Sequence, residues 1–194
     1  MNCILIFVKE KLLMQLAIPS SFTLTDSWLC RLLISLAGSF LIALGAKVSL
    51  TLPFSPVPFT CQTLAVLFLG VTLGSRQAAA ATLLYLLQGS CGLPVFSPLI
   101  AQPLILIGPK AGYLLAMPLQ AYIAGKASSQ QSIRNNLVIL ALACLLVLIL
   151  GASILAIFVG GKNAIYMGAY PFLFSEALKI FITMGYLTSR KIQR

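Results

Sequence analysis

Histidine is absent from these 194 residues, acidic side chains number three and tryptophan one. Without histidine, and with Glu10, Asp26 and Glu176 far apart, no paired carboxylates, Ser-His-Asp set or metal-ligand cluster can be assembled by spacing. Catalysis, a metal and a cofactor are therefore not expected. The five cysteines (Cys3, Cys30, Cys61, Cys91, Cys144) are dispersed with no CxxC, so they read as packing residues. No GxxxxGK[ST] phosphate loop occurs: Gly125-Lys126-Ala127 and Gly161-Lys162-Asn163 fail both the spacing and the hydroxyl, which excludes ATP binding by that route. Charge is scarce too, at 8% against the roughly 25% of a water-soluble domain. A chain that is 60% hydrophobic has lipid as its solvent. Its formal net charge of +10 is spread singly between apolar runs, without a basic stripe interleaved with aromatics, so no nucleic-acid partner is expected.

Apolar stretches punctuated by Gly, Pro or charge fall at 32–46, 59–74, 78–95, 111–125, 137–159 and 170–187. Strict alternation of apolar and polar residues, the mark of a membrane barrel, is missing. The expected fold is all-α: a polytopic membrane protein of six transmembrane helices, residues 29–194, preceded by an N-terminal leader at 1–28 able to lie in the interface. The run Cys3 to Val8 is too short for a signal-peptide core and its charges follow it, so no cleavage is expected. With a cytoplasmic N-terminus, nine cations fall inside (Lys9, Lys11, Arg31, Arg76, Lys126, Arg134, Arg190, Lys191, Arg194) and three outside (Lys47, Lys110, Lys162). That bias places both termini in the cytoplasm and the protein in the cell membrane, crossing it several times.

In this orientation the second, fourth and sixth helices begin on the outside, where their N-terminal N–H groups favour an anion. Glu176 and Lys179 are the strongest chemical signal. They are three apart, hence on one helix face, inside a span where charge is costly; the plainer alternative is a self-satisfied pair that locks packing. Lys110 opens the fourth helix and can either face a ligand or snorkel to water. The stretch Leu52-Pro53-Phe54-Ser55-Pro56-Val57-Pro58 has three prolines in six residues, cannot be helical through its middle, and suits a stiff lid as well as a plain connector. Small residues at helical spacing (Ser35, Ser39, Ala43) allow close approach of another helix, of this chain or of a partner.

Several linked motifs then resemble one family. Pro53-Phe54-Ser55-Pro56-Val57-Pro58 with Gln62-Thr63-Leu64-Ala65-Val66, Tyr85-Leu86-Leu87 with Gly92-Leu93-Pro94-Val95-Phe96, and Gly108-Pro109 with Gly112-Tyr113-Leu114-Leu115 are similar to the BioY family of biotin transporters. The resemblance runs in order from about Ala43 to Lys179. It implies a six-helix substrate-binding component of an energy-coupling-factor transporter, which takes biotin from the outer side and works with a transmembrane coupling subunit and two ATPase subunits. The family's sixth-helix pattern carries over as Pro171, Phe172, Glu176 and Lys179, with Phe174-Ser175 in place of Pro-Gly and Glu176 in place of aspartate. Two loops also depart from the pattern: Ser97 to Pro103 replaces a glycine-rich stretch, and Lys110-Ala111 replaces threonine-glycine.

The resulting expectation is that biotin's carboxylate meets Lys179 or Lys110 and its ureido group meets Glu176, Gln88 or a backbone group. Tyr85, Tyr113 and Phe96 are the candidate wall residues. Pro53, Phe54, Pro56 and Pro58 form the candidate lid, and by resemblance the face Ser35, Ser39, Ala43 docks the coupling subunit. The competing readings are a stand-alone carrier or facilitator of a small organic anion, with Glu176 and Lys179 as an ion gate, and a scaffolding subunit with no ligand.

Overall fold

The computed structural model describes residues 28–50, 55–96 and 103–192. The chain divides into two compact units, Met1–Arg31 and Leu32–Arg194. Of the first, only the residues from Trp28 are described, and they are helical; the leader expected at 1–28 otherwise lies outside the described residues.

Helix α1 (Trp28–Lys47) leads into a two-residue antiparallel pair, β1 (Ser49–Leu50) with β2 (Phe59–Thr60), in the register Ser49 opposite Thr60 and Leu50 opposite Phe59. Then come α2 (Gln62–Leu73), α3 (Ser75–Ser90), a 3-10 turn (Pro103–Ile107), α4 (Ala111–Ala124) and α5 (Ile133–Val159). The last helical run, Gly161–Ile192, comprises α6 (Gly161–Ala164), a π segment (Ile165–Ala169) and α7 (Tyr170–Ile192).

Local chemistry explains the breaks. Gly74 has φ +80° and Gly160 φ +84°, a left-handed backbone that glycine adopts without a Cβ penalty, so α2 and α5 each end and a new helix starts at once. Ser132 caps α5 by accepting the Asn135 N–H, which starts this helix a turn before the apolar run at Leu137. The second apolar stretch was expected to be helical from 59, yet Phe59 and Thr60 pair with β1 and the helix begins at Gln62. The prolines just upstream hold the chain extended there.

Among the described residues, three helical runs are long and apolar enough to cross a membrane: Trp28–Lys47, Ile133–Val159 and Gly161–Ile192. Gln62–Leu73 and Ala111–Ala124 are apolar but shorter. On α5 the buried residues Leu140, Ala143, Cys144, Val147, Leu148, Gly151 and Leu155 recur at three and four, one stripe of a helix. The opposite side is also apolar, with Leu142, Leu145, Ile149 and Phe158 exposed. In water such a surface would aggregate; against acyl chains it is matched.

Three apolar clusters hold the helices of the Leu32–Arg194 unit. One joins Ile42 of α1, Val66 of α2, Tyr85 of α3, Phe96 and Met117 of α4. A second joins Val57, Tyr113, Val147, Leu155 and Phe172. The third, around Leu67, Ala124, Leu140, Cys144 and Leu187, packs the far end of α4 against α5 and α7.

The small-residue face of α1 packs largely within the chain. Ser35 and Ser39 are buried, Ser35 accepts a hydrogen bond from Gln77 Nε2 of α3 (3.0 Å), and a Cβ at Gly38 would meet Ala81 of α3 at 2.9 Å. Ala43 is half-buried. Small side chains let α1 and α3 approach closely, so Ser35 and Ser39 are used within the chain, while Ala43 is left partly open. The exposed side of α1 carries Leu33, Phe40, Leu41 and Leu44 instead.

Candidate functional site

The N-terminal turns of α2 and α4, the middle of α5 and the N-terminal half of α7 line a partly open cavity. Its apolar walls are Val57, Pro58, Phe96, Ile105, Leu114, Met117, Val147, Leu148 and Phe172, and its polar groups are Thr60, Gln62, Thr63, Lys110, Tyr113, Glu176 and Lys179. An apolar pocket with a few convergent polar groups is suited to hold a small amphipathic molecule.

Its lining includes an ion pair. Lys179 Nζ donates to Glu176 Oε1 (2.7 Å) and to Thr63 Oγ1 (2.6 Å), and the Thr63 hydroxyl donates on to Glu176 Oε1 (3.3 Å). The three-residue spacing puts the pair on one face of α7, while Thr63 arrives from α2. Glu176 is only 5% exposed, and its Oε2 has no partner among the described residues. A buried carboxylate oxygen with spare acceptor capacity is costly, and the Lys179 ammonium beside Oε1 offsets that cost.

Lys110 stands at the start of α4, half-exposed, with burial holding its ammonium below the usual lysine range. An anion beside it would favour the charged form and reverse that shift. Lys179, by contrast, already has its counter-charge.

The aromatic walls are fixed by ring contacts and by the π segment. Phe172 stacks on Phe59 (ring centroids 4.5 Å apart) and lies 6.0 Å from Tyr113. The Tyr113 hydroxyl donates to the Gly168 carbonyl (2.8 Å), and the Ser55 hydroxyl donates to the Met167 carbonyl (2.8 Å). Both acceptors belong to the π segment, whose widened turn leaves carbonyls available for side chains. The proline-rich loop is thereby tied to the last helical run at the edge of the cavity.

Of the residues singled out from sequence, Lys179, Glu176, Lys110, Tyr113 and Phe96 line this cavity. Gln88 and Tyr85 do not: Tyr85 is fully buried one layer behind, its ring edge-on to Phe96. Of the lid, Pro58 lines the cavity and Pro56 is exposed beside it; Pro53 and Phe54 lie outside the described residues. The expectation that the sixth helix begins near Tyr170, with its dipole end at the site, is corrected. The helical run starts at Gly161 and passes through the π segment without a break, so the backbone N–H groups near Tyr170 are already bonded.

Sequence reasoning did not assign Gln62, Thr63, Phe172, Met117, Val147 or Leu148 to the site. Gln62, Thr63 and Phe172 stood in the motifs of the resemblance, and a polar pair opening an apolar helix was the available signal. The α5 residues had none, since nothing distinguishes them from their lipid-facing neighbours.

A family model described as the BioY family matches residues 18–194. The probable biotin transporter BioY of Pyrococcus horikoshii is 31% identical over 139 residues, 72% of this chain and 82% of that protein. The biotin transporter BioY of Thermotoga maritima is 33% identical over 150 residues, 75% and 88% of the two chains. Biotin transporter BioY2 of Lactococcus lactis is 34% identical over 151 residues, 73% and 83%. Among solved structures, the S-component for biotin from an ECF-type ABC transporter is similar with a TM-score of 0.74 at 20% identity, covering 88% of this chain and 95% of that one. At that identity the likeness is one of fold.

Proposed function

The chain belongs to the BioY family, and from that premise we propose that it captures biotin at the outer side of the cell membrane as the substrate-binding component of an energy-coupling-factor transporter. In this reading the six apolar stretches all cross the bilayer, both termini are cytoplasmic, and a transmembrane coupling subunit with two ATPase subunits supplies the energy. The role is binding and delivery, not catalysis.

The observation that carries this reading is a mostly apolar cavity lined both by the Thr63, Glu176, Lys179 cluster and by Lys110. Biotin has a ring system with N–H donors at one end and a carboxylate at the other. The polar cluster of Thr63, Glu176 and Lys179 suits the ureido group. Lys179 was one of two candidates for the carboxylate, but it is engaged by Glu176 and Thr63, which favours Lys110. The bicyclic ring then packs among Phe96, Tyr113, Met117 and Phe172. The loop carrying Pro56 and Pro58, held through Ser55, acts as the lid.

Detergent-purified protein is expected to melt at higher temperature with biotin than without. Saturation at 100 times Kd contributes about 2.7 kcal/mol. Related cyclic ureas lacking the valerate arm should give smaller shifts. No shift at millimolar biotin would refute the reading.

Lys110→Ala is expected to weaken biotin about tenfold or more, by loss of a charge-assisted hydrogen bond worth roughly 1.5–3 kcal/mol, and to leave the affinity for biotin amide nearly unchanged. Calorimetric titration of the two ligands checks this. Equal losses for both would mean that Lys110 does not meet the carboxylate.

A further inference from the structure

Two aromatic residues of the cavity lining, Phe96 and Tyr113, are each seated against glycine. A Cβ at Gly89 of α3 would overlap Cε2 and Cζ of the Phe96 ring and lie 2.8 Å from its Cδ2. A Cβ at Gly151 of α5 would overlap the Tyr113 ring, with its Cγ at 2.6 Å, and one at Gly168 of the π segment would overlap the Tyr113 hydroxyl. None of these glycines lines the cavity; each stands behind a ring that does. Each ring thus occupies volume that any other residue type would fill with its own side chain. Glycine is otherwise a poor choice within a helix, and Gly89 and Gly151 are both helical.

The rings have little room to yield elsewhere. Phe96 is 1% exposed and meets the fully buried Tyr85 edge-on, ring centroids 5.3 Å apart. Tyr113 is tethered through its hydroxyl to the Gly168 carbonyl (2.8 Å), and Phe172 lies 6.0 Å away. Protein interiors are packed as densely as organic crystals, so a ring pushed from behind moves into adjoining open volume. For both rings that volume is the cavity. Phe96 and Tyr113 belong to different apolar clusters, so each bounds the cavity through its own packing.

We propose that Gly89 and Gly151 are positioning residues that set the width of the cavity from behind its walls, through Phe96 and Tyr113, and so select the ring size of the ligand. Resting on the transport reading above, they make the room taken by the fused bicyclic ring of biotin. A methyl group added behind either ring carries that ring forward. A bicyclic ligand then overpacks the site where a monocyclic one still fits.

The test is calorimetric titration of the purified protein with biotin and with desthiobiotin, which keeps the cyclic urea and the carboxylate arm but lacks the sulfur that closes the second ring. Gly89→Ala and Gly151→Ala are each expected to weaken biotin about tenfold or more and desthiobiotin at most about threefold. Phe96→Leu in the Gly89→Ala background takes back the displaced volume and should return the ratio of the two affinities to within about threefold of wild type. Should the glycine variants fail to fold, Phe96→Leu and Tyr113→Leu in the wild-type chain carry the test in the opposite sense. Their widened cavity should improve biotin sulfone, whose sulfur bears two added oxygens, by about threefold or more relative to biotin. Equal losses for both ligands in the glycine variants, or a ratio that Phe96→Leu does not restore, would reduce the glycines to helix packing and overturn the proposal, as would an unchanged ratio in the leucine variants. A wild-type chain that binds no biotin overturns the transport reading together with this one. One that binds biotin while both glycine variants keep the wild-type ratio overturns the glycine assignment alone.

Discussion

Lys179→Ala is expected to lower biotin affinity by at least about 100-fold and to destabilise the protein by about 3–5 kcal/mol, the cost of leaving a buried ion pair half-broken. The reason is geometric. Lys179 Nζ lies 2.7 Å from Glu176 Oε1 and 2.6 Å from Thr63 Oγ1, and it is the cation of this cluster. Without it, a carboxylate that is 5% exposed keeps one hydroxyl donor, from Thr63 at 3.3 Å. The polar lining of the cavity at this cluster is then no longer held in place. Two measurements separate the effects: calorimetric titration for affinity and thermal melting for stability. Lys179→Met, which restores apolar volume but no charge, should recover packing without recovering binding. Wild-type affinity and melting in both variants would remove the pair from the binding site.

Gly112→Val is the second large effect and acts through backbone contact. A Cβ at Gly112 would lie 2.5 Å from the Leu150 carbonyl oxygen, 2.9 Å from Gly151 Cα and 3.0 Å from Ile154 Cβ. The first two are backbone atoms of α5 and cannot swing aside. Overpacking of this kind costs about 1–3 kcal/mol or more, and each kcal/mol lowers Tm by roughly 2–4 °C in a chain of this size. Forcing α4 from α5 also shifts Tyr113, whose ring fills the space that a side chain at Gly151 would need, so biotin binding should weaken as well. Gly185→Ala in α7 is the control. Nothing lies within 4 Å of its Cβ position, and alanine should raise helix stability by up to about 1 kcal/mol. If both variants melt alike, α4 and α5 do not pack as closely as described.

The positions of the helices were largely legible because they depend on local chemistry. Gly74, Gly160 and the prolines of residues 53–58 interrupt apolar runs in ways that neighbouring residues cannot override. Boundaries moved where a longer-range partner intervened. Phe59 and Thr60 joined β1 instead of α2, and the last helix extended back through a π segment whose carbonyls serve Ser55 and Tyr113. Ser35 and Ser39 were readable as a close-packing face but not as facing α3. Small residues permit approach without naming the neighbour.

Composition alone fixed lipid as the solvent of most of this chain, and spacing alone put Glu176 and Lys179 on one helix face, since three residues is close to one turn whatever surrounds the helix. Which residues join that pair was decided only by the packing of the helices: Thr63 and Gln62 came in from α2, Val147 and Leu148 from α5, while Tyr85 stood behind the wall and Gln88 outside it. In a soluble helix the polar side marks the surface and points the apolar side inward. Here the face toward lipid is as apolar as the face toward the core, so periodicity carries no signal of direction. Only the fit of one helix against another distinguishes the cavity wall from the membrane.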